Sequence, residues 1–173
     1  MNRLPGLLPA FALILVLSGC SRPPWYEGLS VQDAEMGSIQ NSSRFGEQIY
    51  FGAQPGEEDF VAISAMGVKT VLNLRTEAEM AELDFDEEAA AHDAGLNYLN
   101  IPIGREQPDE GTIELIHSII DDETRRPLLI HCASSNRVGY VWATYRGKRG
   151  KLSGEAALEE GKSAGMRSPV LMQ

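Results

Sequence analysis

Between Pro127 and His131 the chain reads Pro-Leu-Leu-Ile-His, an apolar run with no polar alternation before its last residue. A strand that is apolar on both faces has to be covered on both, which is the position of a central strand in a parallel sheet flanked by helices. The rest of the chain supplies what such a sheet needs. Residues 48–51, 68–74 and 96–103 read as three more strands, and helical patterns lie over 55–66, 77–94, 110–121, 138–146 and 153–164. Pro55 with Glu57, Glu58 and Asp59 marks a helix start, Gly67 and Gly95 mark helix ends, and Ser153 is placed to cap the last helix. Strand and helix alternate, so the expected fold is α/β: a mostly parallel sheet of four to five strands with helices on both faces. Ligands of such sheets bind at the carboxyl ends of the strands.

The first nineteen residues read as an address. A single Arg3 precedes a short apolar core, Phe11 to Leu17, which falls below the roughly twenty residues a membrane span needs. Leu17-Ser18-Gly19-Cys20 then looks like a bacterial lipobox, with Cys20 as the residue that becomes acylated. Ser21 rather than Asp after it points to outer- over inner-membrane sorting. The expected organisation is a signal peptide over 1–19, a lipidated tether over 20–45 and one folded domain over 46–168, in the cell envelope and facing the periplasm. Trp25 and Tyr26 would either rest at the lipid interface or plug against the domain.

The chain of 173 residues carries a formal charge of −10. Removal of Arg3 with the signal leaves fourteen Lys and Arg against 25 Asp and Glu, a formal −11, which disfavours nucleic acid as a partner. Eight acids and no base lie between Glu77 and Asp93, read as a solvated helix face. The three histidines stand in separate segments and the two cysteines form no metal-ligand spacing, so no metal and no cofactor is expected.

The chemistry concentrates where the apolar strand ends, in His131-Cys132-Ala133-Ser134-Ser135-Asn136-Arg137. A cysteine between a buried strand and a helix start sits among unpaired backbone N–H groups, at the positive end of the helix, where an anion is stabilised and a thiolate favoured. Ala133, Ser134, Ser135 and Asn136 would line that cradle, and Arg137 can offer a phosphate-like oxyanion two parallel N–H bonds. Nucleophile, cradle and guanidinium thus fall within six residues, as displacement at phosphorus through a phosphocysteine requires.

This His-Cys…Arg segment resembles the protein tyrosine and dual-specificity phosphatases, and more closely the bacterial beta-lactamase-hydrolase-like phosphatase family. Tyr50-Phe51-Gly52-Ala53-Gln54-Pro55, Val71-Leu72-Asn73-Leu74-Arg75 and Tyr98-Leu99-Asn100-Ile101-Pro102-Ile103 also look like that family's strands. The resemblance covers residues 45–166 and implies Cys132 as nucleophile, Arg137 as phosphate clamp and His131 as the residue that orients the loop. Its substrate would be a phosphorylated protein or small molecule. Three positions depart from the pattern: Cys-x4-Arg replaces the superfamily's Cys-x5-Arg, Val138 stands in place of Ser or Thr, and Ser135 in place of Gly. A proton donor is expected from the loop 104–110, with Asp109 first and Glu106 second, although Asp109 is equally placed to cap the next helix. Arg75 could reach the same cleft or pair with the acidic helix. Two other functions stay open: a phosphoanion-binding or scaffold lipoprotein without turnover, and a rhodanese-type sulfurtransferase.

Overall fold

A computed structural model describes residues 25–104 and 106–167; the signal sequence and Cys20 lie outside the described residues. Six strands form one sheet: β1 (Val31–Asp33), β2 (Ser43–Phe45), β3 (Ile49–Gly52), β4 (Thr70–Asn73), β5 (Asn97–Asn100) and β6 (Leu128–His131), in the order β1-β2-β3-β6-β4-β5. β6 is central and parallel to β3 and β4, and β5 extends the parallel part, whereas β1 and β2 are antiparallel additions at the edge of β3. Every residue of β6 is buried, as an apolar strand covered on both faces should be.

Helices cover both faces. On one, α4 (Glu110–Asp121), α5 (Asn136–Lys148) and α6 (Gly154–Ser163) bury Ile116, Ile120, Val141, Trp142 and Tyr145 against Phe45, Phe51, Leu128 and Ile130. On the other, α1 (Asp59–Ala65) and α3 (Glu87–Asp93) bury Phe60, Ile63 and Ala91 against Tyr50, Val71 and Leu129. In α4 it is Ile116 that turns inward, while Leu115 is exposed. α5 and α6 cross closely because Gly139 and Gly161 face each other: a Cβ on Gly139 would lie 2.3 Å from the Gly161 carbonyl oxygen. Among the described residues no helix is long and apolar enough to cross a membrane.

Two expectations are corrected. The segment read as a tether over 20–45 is, from Trp25 onward, part of the fold: β1 and β2 lie in it, Met36 and Ile39 are buried, and Trp25 and Tyr26 pack on the core. Three residues are too few to show a period, which is why Val-Gln-Asp and Ser-Arg-Phe were invisible as strands. The helix expected over 77–94 is two helices, α2 (Glu77–Met80) and α3, because each has its own N-cap. Thr76 and Glu79 form a capping box on α2, and Asp86 accepts from the Ala89 N–H at the start of α3.

Candidate active site

β6 ends at His131 and α5 starts at Asn136, so Cys132 to Ser135 form the turn between a central strand and a helix N-terminus. Three neighbours brace this turn. Cys132 N–H donates to the Gly52 carbonyl at 3.4 Å and Ser134 bridges to Ala53, which ties the turn to the end of β3. Ser135 has φ +68°, a left-handed conformation that costs a non-glycine residue about 1 kcal/mol or more. Its buried hydroxyl donates to the Ala164 carbonyl at 2.9 Å, beyond the end of α6, which offsets part of that cost. The substitution at Ser135 thus falls where a glycine would be unstrained, and the residue carries its own compensating bond. Asn136 accepts from the Arg167 N–H, and Arg167 also donates to Asn41, closing the outer side of the turn.

Cys132 is a free thiol, 1% exposed, at the foot of the turn. Arg137, in the first turn of α5, lies on a carboxylate: its Nη1 and Nη2 donate to the two Glu79 oxygens at 2.8 and 2.7 Å. Nη1 also donates to the Leu74 and Ile103 carbonyls at 3.2 and 2.7 Å, at the ends of neighbouring strands. Burial alone would lower the Arg137 pKa, but Glu79 and the charge of Cys132 more than offset it and raise it. Glu79 is held down to about 2, by the Arg137 hydrogen bond first, against the opposing effect of burial and with help from Thr76. Cys132 and Arg137 are therefore electrostatic neighbours, and Glu79 fixes the guanidinium between them.

Behind the turn runs a second buried carboxylate. Glu87 Oε1 lies 2.9 Å from His131 Nε2, bent away from a straight hydrogen bond, and both side chains are fully enclosed. Tyr98 donates its hydroxyl to Glu87 at 2.9 Å, and the Gln54 amide donates to the other oxygen. Burial pushes the Glu87 carboxyl up, but His131 first, with Gln54 and Tyr98, outweighs it and holds it below its ordinary value. Arg75 links the two acids, donating to Gln54 Oε1 at 2.6 Å and to the Glu79 backbone carbonyl at 2.7 Å. His131, Glu87, Gln54, Arg75, Glu79 and Arg137 thus form one polar chain from the first residue of the loop to the last. Arg75 serves the cleft by holding this chain and not by pairing with the exposed acids.

Removing the charge of Glu87 should be felt in stability. A hydrogen bond to a charged buried group contributes about 1.5–3 kcal/mol, so Glu87→Gln should lower the urea unfolding free energy by an amount in that range. Because the folded carboxyl is depressed below its ordinary 4.5, its contribution is present above that pH and is lost as pH falls through the folded value. Wild type and variant should therefore converge in stability below pH 4.5; a constant gap down to strong acid would mean that the charge is not what matters.

Asp109 is where its capping alternative placed it. It is the N-cap of α4, exposed, accepting from the Thr112 N–H at 3.0 Å and the Thr112 hydroxyl at 2.6 Å. Those bonds hold its carboxyl below the ordinary carboxylate range, so it is ionised at neutral pH and has to take up a proton before it could give one to a leaving group. Glu106, on the same connection, is exposed.

Two residues of the site, Glu79 and Glu87, were hidden within the acidic run. The capping box Thr76-x-x-Glu79 was a legible sign that one of these acids turns back on its own helix. Nothing local distinguishes Glu87 from the exposed Glu88 beside it.

A parallel sheet with a cysteine-to-arginine turn at the carboxyl end of its central strand, the arginine already pinned by a carboxylate, defines a phosphatase fold of the tyrosine and dual-specificity type. Residues 26–169 match the family described as "DSP-PTPase phosphatase fused to NAD+ Kinase", and the chain belongs to that family. It is similar to the beta-lactamase hydrolase-like protein of Xylella fastidiosa, 28% identical over 99 residues, 56% of this chain and 23% of that protein. Its counterpart from Agrobacterium fabrum is 26% identical over 124 residues, 70% of this chain and 28% of that protein. The chain thus spans about a quarter of the length of the curated relatives it matches. Among solved structures, P. aeruginosa TpbA in complex with pTyr superimposes with a TM-score of 0.65 at 24% identity, covering 81% of this chain and 83% of that one. Tk-PTP in its active form gives 0.63 at 21% identity, over 72% and 86%.

Proposed function

We propose that the protein is a lipid-anchored phosphatase that hydrolyses phosphate monoesters through a phosphocysteine on Cys132. The observation that carries this reading is the Arg137–Glu79 pair beside Cys132: a guanidinium held rigidly at the far end of a six-residue turn whose foot is a free thiol. In the first step the Cys132 thiolate forms a bond to phosphorus as the ester oxygen leaves with its electron pair and takes a proton. In the second, water attacks the phosphocysteine, the S–P bond breaks, and inorganic phosphate departs. Arg137 and the N–H groups of Ala133 to Asn136 hold the three non-bridging oxygens, whose charge they stabilise throughout. His131 orients the turn from behind. Lipidation at Cys20 places this chemistry at the membrane, as the lipobox tetrapeptide supports. TpbA in complex with pTyr is one relative whose phosphorylated ligand is of the class proposed.

The soluble domain starting after Cys20 should release inorganic phosphate from a small aryl phosphate in a malachite-green assay. A preparation that is folded by circular dichroism and releases none would contradict the reading.

The proton donor is tested by Asp109→Asn. Asparagine caps helices about as well as aspartate, so stability should hold. Because Thr112 keeps the Asp109 carboxylate ionised, the pH–rate profile of Asp109→Asn should keep its basic limb. A limb flattened by Asp109→Asn would instead make Asp109 the donor.

A further inference from the structure

The way the N-terminal segment docks says which way the cleft faces. Trp25 packs on Phe45 and Tyr145 with ring centroids 5.8 and 6.4 Å apart, and the Arg126 guanidinium lies 4.5 Å from its ring centre. Tyr26 donates its hydroxyl to the Arg149 carbonyl at 2.6 Å, under the Arg146 guanidinium at 5.0 Å. All of these partners lie at one end of the sheet. Phe45 pairs with Ile49, which pairs with Leu128, the first residue of β6; Arg126 precedes that residue, and Tyr145, Arg146 and Arg149 are the last turn and cap of α5. Cys132 follows the last residue of β6, and Arg137 stands in the first turn of α5. The docking point and the cleft are thus separated by the length of β6 on one path and by most of α5 on the other, roughly 15–20 Å by their rises per residue.

From Cys20 to Trp25 there are five residues, a reach of about 18 Å at full extension. A leash of that length, with its first residue bound in the bilayer through its acyl chains, holds the docking end within about 18 Å of the lipid and sets no such bound on the cleft end. Charge acts in the same direction. The bases at the docking end are neutralised in place, Arg126 by Glu123, Arg146 by Glu160, and Arg149 by Glu114 and Asp121, so that end meets an anionic surface without an acidic excess. The other end carries the exposed Glu77, Asp86 and Glu88, whereas Glu79 and Glu87 of the same run are paired and Asp93 lies toward the start of β5.

We infer that the folded unit stands on the membrane on the end where β6 begins, with the Cys132 turn facing away into the aqueous compartment. The substrate is then a water-borne phosphomonoester and not a phospholipid headgroup of the bilayer that holds the enzyme. This rests on the proposed lipidation and on the phosphatase reading, and both can be separated from it by experiment.

The test uses the full lipidated chain in vesicles of phosphatidylethanolamine and phosphatidylglycerol that contain an acceptor dye on a lipid headgroup. In a Cys132→Ser background, a donor dye is placed on Glu47→Cys, at the exposed β2–β3 turn of the docking end, or on Glu77→Cys, exposed at the cleft end. Energy transfer from position 47 should exceed that from position 77 by about twofold or more, since transfer falls steeply over the 15–20 Å that separates the two ends. Adding Trp25→Ala should undock the leash and shrink the difference. Equal or reversed transfer would overturn the orientation, and a chain that does not join vesicles would overturn it along with the lipid anchor. In parallel, the unlabelled wild-type chain on vesicles should release phosphate from a dissolved aryl phosphate while leaving phosphatidic acid in the same bilayer intact. Hydrolysis of phosphatidic acid would overturn the orientation with the catalytic reading standing. Failure on aryl phosphate would strike the catalytic reading, and the energy-transfer result would still judge the orientation.

Discussion

Cys132→Ser should reduce aryl phosphate hydrolysis by about 10³-fold or more, the scale seen when a catalytic nucleophile is removed. The side chain is almost fully enclosed and sits in the apolar cluster with Ile130, Val138 and Val141, so a hydroxyl of similar size should leave the fold intact. Its stability cost is about 1–3 kcal/mol at most, even if the hydroxyl finds no partner. The variant should still bind vanadate or phosphate, because the cradle and Arg137 remain. Calorimetric titration alongside the rate assay separates the two effects. If the variant keeps more than a tenth of the wild-type rate, phosphate is being transferred by some other group.

The second large effect is expected at Arg137. Arg137→Ala removes the clamp from the transferring phosphoryl group and should lower kcat/KM by about 10²–10³-fold, the scale of one lost donor at a developing anion. It should also destabilise the domain, because the Glu79 carboxylate and the Leu74 and Ile103 carbonyls lose their shared donor. The depression of Glu79 to about 2 depends first on this guanidinium. Its contribution to stability is therefore present above its ordinary 4.5 and lost only as pH falls toward 2, and in Arg137→Ala that acid-side loss should shrink to the part that the Thr76 hydrogen bonds sustain. The double variant Glu79→Gln with Arg137→Ala should recover part of the stability and none of the activity. Recovery of activity would mean that Glu79 inhibits the site and does not organise it.

The parts of this molecule that were legible in the sequence are those where one segment carries the whole signal. β6 declared itself by being apolar on both faces, and the turn after it placed thiol, cradle and arginine within six residues of one another. The spans of α4 and α6 followed from helical patterning, and the start of α6 from its Ser153 cap. What stayed hidden depends on tertiary contact. β1 and β2 are too short to show a period, and they are strands because β2 pairs with the edge of β3 and β1 pairs in turn with β2. Glu79 and Glu87 look like their exposed neighbours until the break at Asp86 turns α2 toward Arg137 and α3 toward His131. For Trp25 and Tyr26 the sequence left lipid interface and plug open, and the structure takes the plug, with partners in α5 more than a hundred residues away.

The shortened turn has its own kinetic consequence. One residue fewer between Cys132 and Arg137 removes one N–H from the cradle, and Val138, buried and apolar, offers no hydroxyl to the sulfur as it leaves phosphorus. Breakdown of the phosphocysteine should be slowed more than its formation, so product should appear in a burst followed by a slower steady rate. The most direct measurement is rapid mixing of the domain with an aryl phosphate, quenched in time and read by mass spectrometry of the peptide that contains Cys132, with thiosulfate and cyanide offered in a parallel reaction. A phosphoryl group should accumulate on Cys132 in step with the burst and be absent in Arg137→Ala, and no thiocyanate should form. Thiocyanate produced without any phosphoryl group on Cys132 would contradict the function proposed.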